Sequence, residues 1–214
     1  MIRRLHLPRT EDLAEDVRLL AVSDEVDRAL DLEANRAALG RVDGIVGAGD
    51  LEPSYLSFLA DAFKAPLIYV RGNHDRGENW DVGRAHLPHS LDRSTDTLRG
   101  LRITGLSWPG QPHGQAIRDE AAAWRQALGL WLRLRGKRPH IVLSHVPPRG
   151  VGDVPEDAYH RGFAAYRWLC RRLAPPLWIH GHSALSAVPS WRQDSGGTTF
   201  VNATGAVLIE IAGQ

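Results

Sequence analysis

Pro66-Leu67-Ile68-Tyr69-Val70-Arg71-Gly72-Asn73-His74-Asp75 is a short apolar run that stops abruptly at a glycine followed by amide, imidazole and carboxylate side chains. It reads as a buried strand whose C-terminal end carries possible ligands. Open α/β sheets place their binding crevices beyond such strand ends.

The same grammar recurs on both sides of this run. Val17–Val22 ends at Ser23-Asp24, and Gly44–Ala48 ends at Gly49-Asp50. His140–Leu143 ends at Ser144-His145, and Leu177–Ile179 ends at His180-Gly181-His182. Amphipathic stretches between the runs predict helices over Val26–Leu39, Ser54–Phe63, Gln115–Arg135 and Phe163–Leu173. The third has apolar positions at Ala123, Trp124, Leu128, Trp131 and Leu132, and its tryptophans are expected to anchor the core. Thr97–Ser107 reads as a hairpin turning at Arg99-Gly100, Thr198–Asn202 and Ala206–Ile211 as a closing pair around Gly205, and Gly83–Ser94 as a surface loop. The expectation is one α/β domain over residues 1–214.

Bulk properties narrow the classes. With 43% hydrophobic and 24% charged residues the chain has the composition of a globular protein, not a disordered one. A net charge of +1 leaves no global footprint for nucleic acid or membrane. The single cysteine, Cys170, has no internal disulfide partner and reads as a buried helical thiol, which fits a reducing compartment. The opening Met1-Ile2-Arg3-Arg4 is followed by Glu11, Asp12, Glu15 and Asp16 without an apolar segment, so a cytoplasmic, soluble protein is expected. Neither a dinucleotide-binding nor a P-loop glycine pattern is present. Oligomeric state is left open.

Chemistry concentrates at the strand ends, in Asp24, Asp50, Asn73, His74, His145 and His182. Carboxylate and amide oxygens mixed with imidazoles suit divalent Mn, Fe or Zn. A carboxylate can bridge two ions, and an ion pair can clamp a phosphoryl group and activate water. A histidine outside the ligand set could then protonate the departing alkoxide. Taken singly, Asp24, Asp50 and Asn73 would be ordinary turn residues; their joint placement at strand ends favours a site. Arg71 and Arg149 are candidates to hold a substrate phosphate, although ordinary salt-bridge use is equally expected in so Arg-rich a chain.

These motifs, in this order, resemble those of the calcineurin-like metallophosphoesterases over about Val17 to Ala203. His145-Val146-Pro147-Pro148-Arg149-Gly150, Asp153 and His160-Arg161-Gly162-Phe163 resemble small bacterial members, and Ser23-Asp24-Glu25 a subgroup of them. The resemblance implies an α/β fold of two mixed sheets packed face to face with helices outside (α/β/β/α layers). It implies a metallophosphoesterase, with phosphodiesters slightly favoured over monoesters as the small-molecule substrate. It further implies that Asp50 bridges two metals, that Asn73, His145 and His182 complete the second metal site, and that Asp24 belongs to the first. His74 would contact the scissile phosphate, and Asp75 would orient His74. One or two divalent ions per chain are expected, with Mn preferred.

The chain departs from the pattern twice. Val26 and Ala184 stand where the family usually has histidines for the first metal. The expectation is a weak, rebuilt or empty first site, with Glu25, Asp27, His160 and His180 as replacement candidates and His160 also a substrate-binding candidate. The competing reading is a catalytically impaired regulatory protein that keeps the scaffold and binds a phosphate ligand.

Overall fold

A computed structural model describes residues 2–8, 13–110 and 118–213. Among the described residues, eleven strands form two mixed sheets. The first joins β1 (Arg3–Leu7), β2 (Val17–Ser23), β3 (Gly44–Gly47), β4 (Leu67–Tyr69) and β11 (Gly205–Ile211) in the order β1-β11-β2-β3-β4. The second joins β5 (Thr95–Leu98), β6 (Leu101–Leu106), β7 (Ile141–Ser144), β8 (Leu177–His180), β9 (Arg192–Ser195) and β10 (Thr198–Asn202) in the order β5-β6-β7-β8-β10-β9. β2, β3 and β4 run parallel, as do β6, β7, β8 and β10, so each set brings its C-terminal ends to one edge.

Three apolar clusters build the layers. Leu19, Ala21, Val46 and Ile68 of the first sheet meet Ile103, Ile141, Leu143 and Val201 of the second in a core between the sheets. The alternate residues Leu20, Val22 and Ile45 point away, as the two-residue period of a strand requires. They pack beneath α1 (Glu33–Leu39), α2 (Pro53–Phe63) and α3 (Glu78–Gly83). Val142, Trp178 and Phe200 do the same beneath α4 (Glu120–Leu134) and α5 (Ala164–Leu173). The order helix, sheet, sheet, helix is the one expected.

Local chemistry sets the boundaries. Pro53 opens α2 where its missing N–H is not needed, and Lys64 ends the helix in left-handed geometry. Asp119 accepts from the Ala122 N–H and starts α4. Asp27 accepts from the Ala29 N–H and starts a 3-10 turn, Arg28–Asp31, so the helix predicted from Val26 begins only at Glu33. The helix predicted from Gln115 is seen from Glu120; residues 115–117 lie outside the described residues, as do His113, Glu11 and Asp12.

Two expectations are corrected. Thr198–Asn202 and Ala206–Ile211 do not pair with each other: β10 sits between β8 and β9, and β11 between β1 and β2. Gly205 carries the chain from one sheet to the other instead of turning a hairpin. The tryptophans of α4 are also not core anchors. The helix buries Ala123, Ala127, Leu130 and Leu134, whereas Trp124 is 41% and Trp131 37% exposed. Both rings instead pack against Trp168 of α5, at 5.7 and 5.8 Å, and bridge the two helices at the surface. The hairpin at Arg99-Gly100 forms as read. Part of Gly83–Ser94 takes up the 3-10 turn Arg84–His86. Among the described residues no helix is long and apolar enough to cross a membrane.

Candidate metal centre

The loops that leave β2, β3, β4, β7 and β8 meet where the two sheets abut. The Asp24 N–H donates to the Gly49 carbonyl and the Gly181 N–H to the His145 carbonyl, so the loops are tied in pairs. Asp24, Asp50 and His182 each have left-handed backbone, with φ of 58°, 57° and 68°. Such geometry is uncommon outside glycine, costs roughly 1–3 kcal/mol per residue, and gathers at functional sites. Neighbouring glycines allow the close approach. A Cβ on Gly72 would strike the Asp50 carboxylate, and one on Gly181 would strike Ser23 Oγ and Asp24 Oδ2.

The donors converge on His145 Nε2. Asn73 Oδ1 lies 2.8 Å from it, His182 Nδ1 3.2 Å and Asp50 Oδ2 3.2 Å. Hydrogen bonds elsewhere assign which of these atoms carry protons. His145 Nδ1 donates to the Ala48 carbonyl, His182 Nε2 to the Tyr159 carbonyl, and Asn73 Nδ2 to the Tyr159 hydroxyl. Nδ1 of His182, Oδ1 of Asn73 and Oδ2 of Asp50 are therefore left as lone pairs around His145 Nε2, the ring nitrogen that either a proton or a cation can engage. Metal–ligand bonds of ~2.1 Å place neighbouring donors about 3.0–3.4 Å apart; the His182 and Asp50 spacings of 3.2 Å fall in that range, while Asn73 Oδ1 at 2.8 Å sits at hydrogen-bond distance. The oxygen and imidazole chemistry of these atoms suits a divalent cation. Oxygens of Asp24 and Asp50 and a nitrogen of His145 also lie within 4.8 Å of one another.

The electrostatics agree. Burial opposes protonation of His145, yet Asp50, the hydrogen bond to it and Asp24 carry the imidazole up to about 9. The two carboxylates thus favour a positive charge at this ring. Burial and the charge on His145 drive His182 down to about 3, keeping it neutral and able to ligate. Burial also works against ionisation of Asp50, but His145 and the His74 N–H hold its carboxyl below the usual range. Burial and the Asp50 charge raise Asp75 to about 6.

A cavity of about 370 Å³ opens beside these donors, lined by Asp24, Asp50, Asn73, His74, Tyr159, His160 and His182. His74 is exposed there, and its backbone N–H donates to Asp50 Oδ1. Asp75 is placed differently from expectation. Its Oδ2 accepts from the N–H groups of Asp50 and Gly72, at 2.8 and 2.7 Å, and so clamps the two ligand loops together; it makes no hydrogen bond to the His74 ring. His160 lines the cavity, its ring 5.0 Å from that of His182. Arg71 lines an adjoining cavity. Arg149 pairs with Glu120 and the Gly162 carbonyl and lines neither, so it is set apart from the site.

Of the replacement candidates only His160 reaches the cavity. Asp27 caps its 3-10 turn, and Glu25 is exposed. His180 does not share the side of His182, because the left-handed turn at His182 ends the extended geometry. Its buried ring lies against Gly152, where a Cβ would come within 2.7 Å. Burial takes it down to about 4. Sequence reasoning missed Tyr159, which holds both Asn73 and His182, and Thr204, whose hydroxyl donates to Asp24 at 3.3 Å. It also missed Trp108, whose ring stands 5.5 Å from that of His182. None of these lies in a recognisable motif.

Two sheets in a helix-flanked sandwich, with strand-end loops supplying oxygen and imidazole donors to one point, define a metallophosphoesterase scaffold. The calcineurin-like phosphoesterase family model matches residues 27–185, and the chain belongs to that family. The family uses divalent metals and acts on phosphoesters. TT1561 of Thermus thermophilus is similar at a TM-score of 0.61 and 17% identity, over 88% of this chain and 89% of that one. GAP50, described as the anchor in the inner membrane complex of Plasmodium, is similar at a TM-score of 0.55 and 13% identity, over 89% and 72%. Vacuolar Protein Sorting 29 from Cryptosporidium parvum overlaps 93% of this chain and 87% of its own at a TM-score of 0.47 and 13% identity. No curated protein matches the chain in sequence.

Proposed function

We propose that the chain hydrolyses a phosphoester, a diester in preference to a monoester, with a divalent cation held by Asp50, Asn73, His145 and His182. The observation that carries this reading is the convergence of oxygen and imidazole donor atoms on His145 Nε2, with spacings of 2.8–3.2 Å. A cation bound there supplies Lewis acidity toward a phosphoryl oxygen and lowers the pKa of water near it. The mixed oxygen and imidazole set suits Mn, our preferred ion. His74, exposed in the cavity and placed by its N–H bond to Asp50, contacts the phosphate and donates a proton to the departing alkoxide. Asp75 is a positioning residue, clamping the Asp50 and Gly72 loops. His160, which lines the same cavity as His74, takes part in substrate binding.

Asp24 is assigned to a first metal position that lacks histidines, since Val26 and Ala184 stand where the family usually has them. One tight ion and one weak ion per chain follow from this. The same loss supports the second reading, a metal and phosphate-ligand binder without turnover. Mn-stimulated cleavage of bis-p-nitrophenyl phosphate, abolished in Asp50→Ala and His74→Ala, supports the hydrolase. No turnover with any divalent ion, with phosphate binding retained, supports the binder. Because loops of both sheets complete the site, residues 1–214 are read as one domain, and the buried, unpaired Cys170 suits a cytoplasmic setting.

A further inference from the structure

A second cavity of about 340 Å³ adjoins the metal centre and shares Asn73 with it. Its volume falls in the range of small-molecule sites, ~300–1,000 Å³. Trp108 stands between the two spaces. It lines the second, and its ring lies 5.5 Å from His182 and 6.4 Å from His145.

The charges around this cavity do not cancel. Arg71, Arg76, Arg93 and Arg125 line it, against Asp75 and Asp92. Both carboxylates are already engaged. Asp75 accepts from the backbone of Asp50 and Gly72; Asp92 accepts from the Ser107 N–H and the Gln126 amide and pairs with Arg93 at 3.2 Å. Arg125 faces Asp119 at 3.6 Å. Arg71 and Arg76 are left without a carboxylate among the described residues. Nε of Arg71, Nη1 of Arg76 and Nε1 of Trp108 are shielded from solvent and make no hydrogen bond there. Buried donors are normally paired, and guanidinium groups are the donors that most often receive phosphate.

We infer that this cavity is an anion subsite, in which Arg71 and Arg76 hold a second phosphate of the substrate while the scissile ester lies at the metal centre. The substrate class is then a phosphoester bearing another phosphate group. This rests on the hydrolytic reading for the reaction but not for the anion site itself.

The test is calorimetric titration of EDTA-treated protein with inorganic pyrophosphate, where no metal can hold the anion. The wild type should bind; Arg71→Gln/Arg76→Gln should bind at least tenfold more weakly, and the surface variant Arg192→Gln as the wild type does. Thermal melting checks that the double variant is folded; if it is not, single Arg76→Gln serves. With Mn restored, thymidine 3′-phosphate 5′-(p-nitrophenyl phosphate) should show a KM at least tenfold below that of thymidine 5′-(p-nitrophenyl phosphate), and the double variant should lose this ratio. No pyrophosphate binding by the wild type, or equal binding by the variant, overturns the subsite. An equal KM for the two esters overturns its role in substrate choice. Arg-dependent pyrophosphate binding without turnover of either ester sinks the hydrolytic reading and leaves the subsite standing.

Discussion

His182 Nδ1 faces His145 Nε2 at 3.2 Å, and the other ring nitrogen of each donates to a backbone carbonyl, Tyr159 and Ala48 respectively. Two imidazole lone pairs directed at each other repel unless a proton or a metal ion lies between them. In the metal-free chain His145, raised to about 9, keeps a proton at neutral pH. A cation must displace that proton, so metal affinity should rise about tenfold per pH unit below about 9 and level off above it. Calorimetry of Mn binding at pH 7.5, in buffers of different ionisation enthalpy, should report about one proton released per ion. Binding without proton release would show that His145 is not displaced.

The second prediction concerns how Asn73 and His182 are held. Tyr159 accepts from Asn73 Nδ2 at 2.9 Å through its hydroxyl. Losing an outer hydrogen-bond partner of a ligand typically costs about 10–100-fold in metal affinity or activity. Tyr159→Phe should therefore weaken Mn binding by about tenfold at unchanged fold, read by metal titration alongside circular dichroism. Unaltered affinity would mean that the hydroxyl does not orient Asn73.

Gly181 offers a steric test. A Cβ there overlaps Ser23 Oγ and Asp24 Oδ2, so Gly181→Ala must push the loops after β2 and β8 apart. Overpacking of this kind costs roughly 1–3 kcal/mol, and the same displacement should weaken the metal site. Denaturant melts and metal titration should move together. A variant with wild-type stability would show that the loops have slack.

Val26 and Ala184 allow a gain-of-function test. Both are exposed, so histidines can be introduced without burying new polar groups. Val26→His/Ala184→His should shift tight Mn binding from about one toward two ions per chain, counted by elemental analysis after gel filtration. A wild-type protein that already retains two ions would contradict a depleted first site.

Much of this architecture was legible in the chain. Apolar runs closing on Ser23-Asp24, Gly49-Asp50, Gly72–Asp75, Ser144-His145 and Gly181-His182 mark strand ends, because buried strands need continuous apolar side chains and tight turns favour glycine and short polar residues. Other features depend on contacts that local pattern does not encode. The apolar stripe of α4 containing Trp124 and Trp131 is one position from the stripe that faces the sheet, and periodicity alone does not choose between them. β1 and β9 are edge strands with polar, Arg-containing sequences, and so lack the apolar signature. Tyr159, Trp108 and Thr204 reach the site from loops distant in sequence. The role of Asp75 follows from geometry: it sits beside His74 in the chain but turns to the backbone of Asp50.

The claim at the centre is that a cation on Asp50, Asn73, His145 and His182 powers phosphoester cleavage. Its most direct measurement is an add-back titration of EDTA-treated protein with Mn, following turnover of bis-p-nitrophenyl phosphate. The account predicts negligible rate without metal and recovery that tracks the first equivalent of Mn per chain, abolished in His182→Ala. A rate indifferent to EDTA, or recovery unaffected by His182→Ala, would contradict it.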